Sequence, residues 1–332
     1  MAITKKQLAQ TEQGNIELFS ITNQHQTKIE LLSYGATWQN WEIQEANQAH
    51  SLITHYPNWT DYQEPAFNPG KTVAPVAGRI TKAHFQLNGQ DYQMPANEND
   101  NLLHSGKAGL QHQNFQGKEV DEQTVEFSYT LSAEKNVFPG SLQLRVRYQL
   151  TDDDRVNITY YGTSSQTTLF NPTCHVYFNL DQATSINEQT LQINADQYLE
   201  LTDQKVPTGK LLAVDAATDF RQPKTIAQGL ETLHQQTGKT EFDHVYYTPT
   251  DLVATVQTSK YAVDLYSDRD ALVVYTGSPE APQDHTWHDY TGLALEMQSL
   301  PDAINHAGFG DIILPANKTC QYMSSYQYRS LK

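Results

Sequence analysis

Cysteine and basic residues are scarce in this sequence. Only two of the 332 residues are cysteine, and 22 lysines and arginines stand against 38 acidic residues, which gives a formal net charge of -16. Cys174 and Cys320 lie far apart and lack zinc or redox spacing, so we expect reduced thiols rather than a disulfide or a metal site. Without a Lys/Arg cluster, the acidic balance disfavours nucleic acid and anionic membranes as partners and favours a neutral or cationic small ligand.

Long apolar runs, flexible linkers and internal repeats are also missing. No stretch approaches the length of a membrane span, and the first ten residues contain no apolar run suited to a signal peptide, so we expect a cytoplasmic protein. No Pro/Gly/Ser-rich linker or fixed-period repeat divides the chain. Although the length alone would allow two domains, the simplest expectation is a single domain over residues 1–332.

Alternation of apolar and polar residues dominates the chain, whereas helical periodicity is nearly absent. Alternating runs at 125–131 and 142–150, followed by a Thr-Asp-Asp-Asp turn, predict an antiparallel meander that continues through 156–160. The Asn88-Gly89 pair predicts a hairpin over 85–94. These patterns indicate an all-β fold, a large antiparallel sandwich. Further strands are predicted at 28–32, 38–43, 190–194, 262–266, 271–276, 293–299 and 319–328, a short helix at 226–234, and loops at 56–70, 105–118 and 278–290.

Residues 171–180, Asn-Pro-Thr-Cys-His-Val-Tyr-Phe-Asn-Leu, are the most informative stretch. In an extended strand the odd-numbered side chains, including His175 and Tyr177, share one face, and the even-numbered side chains share an apolar face. A polar but uncharged face predicts the floor of a pocket. The alternative is that His175 and Tyr177 are half-buried side chains with satisfied hydrogen bonds. Cys174 and His175 are neighbours and point apart, so they cannot form a thiol–imidazole pair.

A second informative strand is predicted at 293–299. Glu296 shares a face with Ala294 and Gln298, and the small Ala294 leaves room beside the carboxylate. Glu296 is either a solvated edge residue or the partner of His175 in an acid–base pair, which proton-transfer chemistry requires.

Three further polar side chains are candidates for ligand binding. Arg79 follows Gly78 at the end of an apolar stretch and is either part of a structural ion pair or a forked donor to ligand hydroxyls. His104 closes a loop rich in Asn and Asp and is either a surface histidine or a ligand contact. Asp243 either bonds within a turn or accepts hydrogen bonds from ligand hydroxyls.

The loop His-Thr-Trp-His-Asp at 285–289 contains three possible metal ligands. Its spacing matches no strong zinc signature, and no matching Cys or His pair occurs elsewhere, so we expect no metal site there. Trp287 could instead shelter one face of a ligand ring.

Six short motifs occur in chain order, namely Gly-Arg-Ile at 78–80, Leu-His-Ser-Gly at 103–106, His-Val-Tyr-Phe-Asn-Leu at 175–180, Phe-Asp-His at 242–244, Leu-Glu at 295–296 and Pro-Asp-Ala at 301–303. Together they resemble the galactose mutarotase (aldose 1-epimerase) family. No single motif is decisive, but their order and spacing together are specific, and the resemblance spans most of the chain. It implies a β-supersandwich fold and interconversion of the α and β anomers of a free aldohexose such as galactose or glucose, without metal or organic cofactor.

The same resemblance implies residue roles. Glu296 would be the general base and His175 the general acid, and the partner would be a small monosaccharide bound by a monomer or homodimer. The side chains implied to hold the sugar hydroxyls are Arg79, His104, Tyr177 and Asp243.

The chain departs from the family pattern at three positions. Gly78, Cys174 and Val273 stand where many members have Asn, Asn and Gln, and loss of a hydrogen-bonding partner can change discrimination between sugars strongly. Three other functions stay open. They are a non-catalytic sugar-binding or sensing protein of this fold, a hexose-6-phosphate 1-epimerase, which would need a cation cluster, and a glycosidase that uses Asp243 and Glu296 and leaves the histidines without a role.

Overall fold

A computed structural model describes residues 2–46, 48–63, 67–279 and 289–331. About half of the chain (51%) is strand and 9% is helical, as the all-β prediction requires. The strands are β1 (Ala2–Thr11), β2 (Gly14–Thr22), β3 (Lys28–Leu32), β4 (Thr37–Glu45), β5 (Gln48–Ser51), β6 (Thr72–Val73), β7 (Arg79–Ile80), β8 (His84–Leu87), β9 (Gln90–Gln93), β10 (Leu102–Leu103), β11 (Gln116–Asp121), β12 (Thr124–Leu131), β13 (Leu142–Leu150), β14 (Arg155–Ser164), β15 (Thr168–Leu169), β16 (Thr173–Cys174), β17 (Tyr177–Phe178), β18 (Thr190–Ile193), β19 (Gln197–Leu201), β20 (Pro207–Ala213), β21 (Lys224–Thr225), β22 (Asp243–Tyr247), β23 (Leu252–Gln257), β24 (Tyr261–Ser267), β25 (Ala271–Gly277), β26 (Gly292–Gln298), β27 (Ile313–Leu314) and β28 (Thr319–Ser330).

Helical structure in the described ranges consists of one α-helix and five short 3-10 turns. The helix α1 (Ile226–Thr237) confirms the helix predicted at 226–234 and extends it by three residues. Thr225 and Gln228 form a capping box at its start, and Gly238, with a φ of 73°, ends it. No helix in the described part of the chain is both long and apolar enough to cross a membrane. The 3-10 turns are Trp59–Tyr62, Thr81–Ala83, Gly106–Ala108, Leu110–His112 and Ala303–Asn305.

Three antiparallel sheets form most of the architecture. The largest has nine strands in the order β11-β12-β13-β14-β28-β24-β23-β18-β21, so the C-terminal strand β28 completes its middle. A six-stranded sheet has the order β17-β26-β25-β22-β19-β20, and β1 to β5 form a sequential five-stranded sheet. The predicted meander is confirmed as β12, β13 and β14, and the predicted hairpin as β8 and β9 with positive φ at Asn88 and Gly89.

The main core contains side chains of the six-stranded sheet and of the nine-stranded sheet. Leu293 and Leu295 of β26 belong to the same buried cluster as Val146, Ile158 and Leu265 of the nine-stranded sheet. Each such side chain stabilises the fold by roughly 1.5–3 kcal/mol when it leaves water. Because strand side chains alternate, β26 presents its even-numbered residues on the face away from this core.

Two predictions about local structure need correction. Residues 171–180 do not form one continuous strand, since β16 pairs with β6 whereas β17 pairs with β26. The chain passes from one pairing partner to the other at His175 and Val176, whose backbones bond to Lys71 and Leu295. The loop predicted at 105–118 ends early, because β11 begins at Gln116.

Other strands escaped prediction because they lack apolar alternation. Strand β1 has mostly exposed side chains and lies at the edge of its sheet, where little hydrophobic burial marks it. Strands β19, β20 and β23 were likewise not predicted. Residues 280–288 of the loop predicted at 278–290 lie outside the described residues.

Gly70 and Gly89 provide a matched test of backbone crowding. Both have positive φ (66° and 76°), but a Cβ on Gly70 would lie 2.1 Å from the Trp38 carbonyl oxygen, whereas nothing lies within 4 Å of one on Gly89. We expect Gly89→Ala to lower the free energy of unfolding by about 1 kcal/mol and Gly70→Ala by about 3 kcal/mol or more. Urea unfolding measures both, and equal losses would contradict the crowding at Gly70.

Candidate active site

A cavity of about 560 Å³ opens on the face of the six-stranded sheet that points away from the main core. Its floor follows from strand register. Tyr177 and Tyr275 both lie opposite Ala294, and Asp243 lies opposite Tyr275. In the next row Glu296 lies opposite Val273, which itself lies opposite Val245. The short side chain of Ala294 thus leaves space on the floor beside Glu296.

His175 and Glu296 meet at this floor. The Nε2 atom of His175 lies 3.4 Å from Oε1 of Glu296, and the two residues are only 7% and 3% exposed. Within the described residues, neither His175 Nδ1 nor Glu296 Oε2 has a hydrogen-bond partner. Because a buried unsatisfied polar atom costs about 1–3 kcal/mol, these atoms mark a site suited to a polar ligand.

Burial acts on the two pKa values in opposite directions. It raises the pKa of Glu296 to about 8, with a smaller contribution in the same direction from the charge of Asp243 and an opposing one from Arg79. It lowers the pKa of His175 to about 4, although a backbone hydrogen bond and Asp243 oppose the shift. Burial therefore disfavours the charged form of each group, the carboxylate of Glu296 and the imidazolium of His175.

Arg79 and His104 form one wall of the cavity. Strand β7 pairs with β10, which places Arg79 opposite Leu103 and beside His104. The backbone N–H of Gly78 donates to Nδ1 of His104, so a neutral His104 carries its proton on Nε2. Burial lowers the pKa of His104 well below its ordinary value, and the charges of His175 and Arg79 act in the same direction. His104 is therefore a neutral hydrogen-bond donor.

Two of the cations that line the cavity, Arg79 and Lys205, are paired with carboxylates. Arg79 donates two hydrogen bonds to Glu98, from Nε at 2.5 Å and from Nη2 at 2.9 Å. Lys205 donates to Asp243 at 2.7 Å and to Glu241 at 3.0 Å. The ion pair considered as the structural alternative for Arg79 is thus present, and Arg79 also lines the cavity.

Aromatic side chains complete the lining. Tyr177 stacks on His175 with ring centroids 5.1 Å apart and donates from its hydroxyl to the carbonyl of Phe67. The ring of Phe67 stacks on Tyr275 at 6.2 Å. Aromatic faces next to hydroxyl-bonding groups suit the mixed apolar and polar surface of a pyranose.

All six side chains predicted as site residues line this one cavity. The structure adds lining residues that sequence reasoning missed, among them Gln298, which is 1% exposed and whose Oε1 has no partner in the described chain. The sequence does not point to Glu98 or Lys205 as site residues, because their charged partners, Arg79 and Asp243, are 19 and 38 residues away in sequence. The six predicted residues are Arg79, His104, His175, Tyr177, Asp243 and Glu296.

The three departures from the family pattern differ in position. Gly78 and Val273 line the cavity, whereas Cys174 is buried in the main core with its Sγ against the carbonyl of Gly70. A Cβ on Gly78 would lie 3.0 Å from Cβ of Pro301, so a larger residue there would have to displace Pro301. The departures at Gly78 and Val273 therefore bear on ligand contacts, and the one at Cys174 bears on packing.

Metal binding was considered for the loop at 285–289, whose residues 285–288 lie outside the described residues. Within the part of the chain that the structure describes, no three His, Cys, Asp or Glu side chains group where they could hold a metal ion.

The known proteins that this chain resembles are described as sugar epimerases. Residues 17–327 match the family described as aldose 1-epimerase. A maltose epimerase from Levilactobacillus brevis is 36% identical over 99% of both chains, and an aldose 1-epimerase from Streptococcus thermophilus is 30% identical over 99% of both. The crystal structure of galactose 1-epimerase from Lactobacillus acidophilus matches with a TM-score of 0.87 at 22% identity, over 99% of each chain. That likeness confirms the predicted β-supersandwich fold.

The lowered pKa of His175 can be measured directly. We expect its imidazole resonances to titrate with a midpoint near pH 4, because the ring is buried and resists protonation. Two-dimensional NMR of histidine-labelled protein measures the midpoint, and the variant His175→Asn assigns the resonance by its disappearance. A midpoint near 6.5, the ordinary value for histidine, would contradict the buried environment.

Proposed function

Because this chain belongs to the aldose 1-epimerase family and is an isomerase, we propose that it interconverts the α and β anomers of a free, uncharged aldose by acid–base ring opening. The observation that carries the proposal is the buried contact of 3.4 Å between His175 and Glu296 on the floor of a cavity. An acid and a base within reach of the same ligand are what the reaction requires.

The proposed reaction balances with these two groups alone. Glu296 takes the proton of the C1 hydroxyl while His175 gives a proton to the ring oxygen. The bond between C1 and the ring oxygen breaks, and C1 becomes an aldehyde carbon. Rotation about the bond between C1 and C2, followed by reversal of both proton transfers, closes the ring as the other anomer. Each positioned group can contribute about 10² to 10⁴ in rate.

Binding of the sugar has to set the proton positions from which this reaction starts. Before ring opening the proton resides on His175 and Glu296 is ionised, whereas after opening Glu296 holds the proton and His175 is neutral. Burial favours the second distribution, since it places the pKa of Glu296 near 8 and that of His175 near 4. The first distribution is therefore the less favourable one before the sugar binds, and sugar hydroxyls that donate to the carboxylate stabilise it in the complex.

The charge balance of the cavity favours a neutral sugar over a 6-phosphate. Of the three cations in the lining, Arg79 is paired with Glu98 and Lys205 with Asp243 and Glu241. Lys107 is the third cation. A phosphate brought to Arg79 or Lys205 would face these carboxylates, and like charges repel. In this proposal Arg79, His104, Tyr177 and Asp243 hold the sugar hydroxyls.

A reducing disaccharide is a second candidate substrate. The relative that is 36% identical is named a maltose epimerase, and a cavity of about 560 Å³ falls in the range that encloses ligands larger than one pyranose. We therefore propose glucose or galactose and maltose as the sugars to compare. We also propose that residues 1–332 act as one domain, because the site takes side chains from strands spread between residues 79 and 298.

Replacing either member of the pair tests the reaction. We expect Glu296→Gln and His175→Asn each to lower kcat/KM by about a hundredfold or more, because each removes a proton acceptor or donor with little change in shape. Polarimetry of freshly dissolved α-glucose, α-galactose and α-maltose gives the rates.

The controls are Glu119→Gln and His84→Asn, the same changes in residues outside the cavity lining. Turnover like that of the wild type in Glu296→Gln or His175→Asn would refute the assignment. Saturable sugar binding without faster mutarotation by the wild type would instead identify a binding protein.

Glu98 tests the selection against phosphorylated sugars. We expect Glu98→Gln to leave Arg79 unpaired and to strengthen inhibition by glucose 6-phosphate about tenfold, because removal of one close charge is worth about 1 kcal/mol or more. The inhibition constant against α-glucose mutarotation is the measurement, with exposed Glu188→Gln as the control. A wild type that turns over glucose 6-phosphate as readily as glucose would contradict the proposal.

A further inference from the structure

Arg269 is a buried cation outside the cavity, and its contacts join the two segments that carry the reacting pair. It lies in the turn between β24 and β25 and is 5% exposed. Its Nη1 donates to the carbonyl of Pro172, three residues before His175, and its Nη2 donates to the carbonyl of Met297 at 2.5 Å, next to Glu296. One planar guanidinium therefore bridges both segments.

Asn171 makes a second link between the same segments. Its Nδ2 donates to the carbonyl of Ser299 at 3.2 Å, and its Oδ1 accepts from the N–H of Ser299 at 3.0 Å. The same Oδ1 lies 3.5 Å from Nη1 of Arg269. The backbone of Asn171 bonds to Pro75 and Ala77, which lead directly to Gly78 and Arg79. Three segments of the site thus meet at one buried cluster.

The surroundings of Arg269 hold the guanidinium rigidly. It lies over the rings of Tyr160 and Tyr322, 5.7 Å and 5.0 Å from their centroids, and within 3.5 Å of the Ser324 hydroxyl. These three residues belong to β14 and β28 of the nine-stranded sheet. Because its partners are neutral oxygens and aromatic rings, the burial of this cation is costly, and a benefit other than packing is expected.

We propose that Arg269 and Asn171 form a clamp that sets the separation of His175 and Glu296 for proton transfer. Both are positioning residues, since neither is among the residues that line the cavity. At 3.4 Å the pair is already longer than an ideal hydrogen bond, so a small drift of either segment removes the contact. A misplacement of 1 Å can cost about a hundredfold in rate. This inference rests on the proposed reaction.

Arg269→Lys and Asn171→Ala test the clamp. Lysine keeps the charge but cannot donate in a fork to two carbonyls. We expect each variant to lower kcat for α-glucose by about tenfold to a hundredfold, with KM changed less than about twofold, because the hydroxyl contacts in the cavity are intact. The double variant should lose far less than the product of the two losses, because the two residues act as one unit.

The control is Val256→Ala, which weakens the buried core at β23, where Val256 pairs with Leu191 and Val263 at a distance from the clamp. We expect it to lower the unfolding temperature, as we also expect of Arg269→Lys, but not to lower kcat at 25 °C. If Arg269 had a purely structural role, both variants would show a lower unfolding temperature and a normal kcat. A normal kcat in Arg269→Lys would therefore overturn the clamp.

A second readout separates failure of the clamp from failure of the proposed function. If the wild type does not accelerate mutarotation of any sugar, the function fails, and the clamp is judged by the NMR midpoint of His175. Loosening the segments admits water to the ring, so Arg269→Lys should raise that midpoint from near 4 toward 6.5. If Arg269→Lys changes neither the His175 midpoint nor kcat, the clamp is overturned. If the wild type has no turnover, an unchanged His175 midpoint in Arg269→Lys alone overturns it.

Discussion

The site depends on the removal of one carboxyl group and one imidazole from water at the point where they touch. Glu296 and His175 are almost completely buried, and burial raises the pKa of Glu296 to about 8 and lowers that of His175 to about 4. In water the order would be reversed, since imidazole is the stronger base. The acid–base character of the pair is therefore a property of the fold and not of the two residue types.

Strand alternation makes this burial possible without exposing the core. The odd-numbered residues of β26 pack with the nine-stranded sheet, and the even-numbered residues Glu296 and Gln298 line the cavity. His175 reaches the same place from a segment that changes pairing partner beside it. Such a change leaves little regular pairing to hold the segment, which is why the contacts of Arg269 and Asn171 with both segments matter.

Charge compensation shapes the rest of the cavity. The pairing of Arg79 with Glu98 and of Lys205 with Asp243 compensates two of the three cations of the lining and leaves groups that can bond hydroxyls. Gly78 and Val273 also line the cavity, and neither has a side chain that can form a hydrogen bond with a ligand. Both features bear on which ligands the cavity can accept.

The sequence by itself determined the all-β fold, the meander, the hairpin at Asn88-Gly89 and six side chains that line one cavity. It could do so because alternation, turn residues and short motifs are local, and local patterns are visible in a chain. The broken pairing at residues 171–180, the ion pairs of Glu98 and Lys205, and the bridge made by Arg269 were decided only by the tertiary structure. Each joins residues that are distant in sequence, and the pKa values of Glu296 and His175 likewise depend on how much water the folded chain excludes.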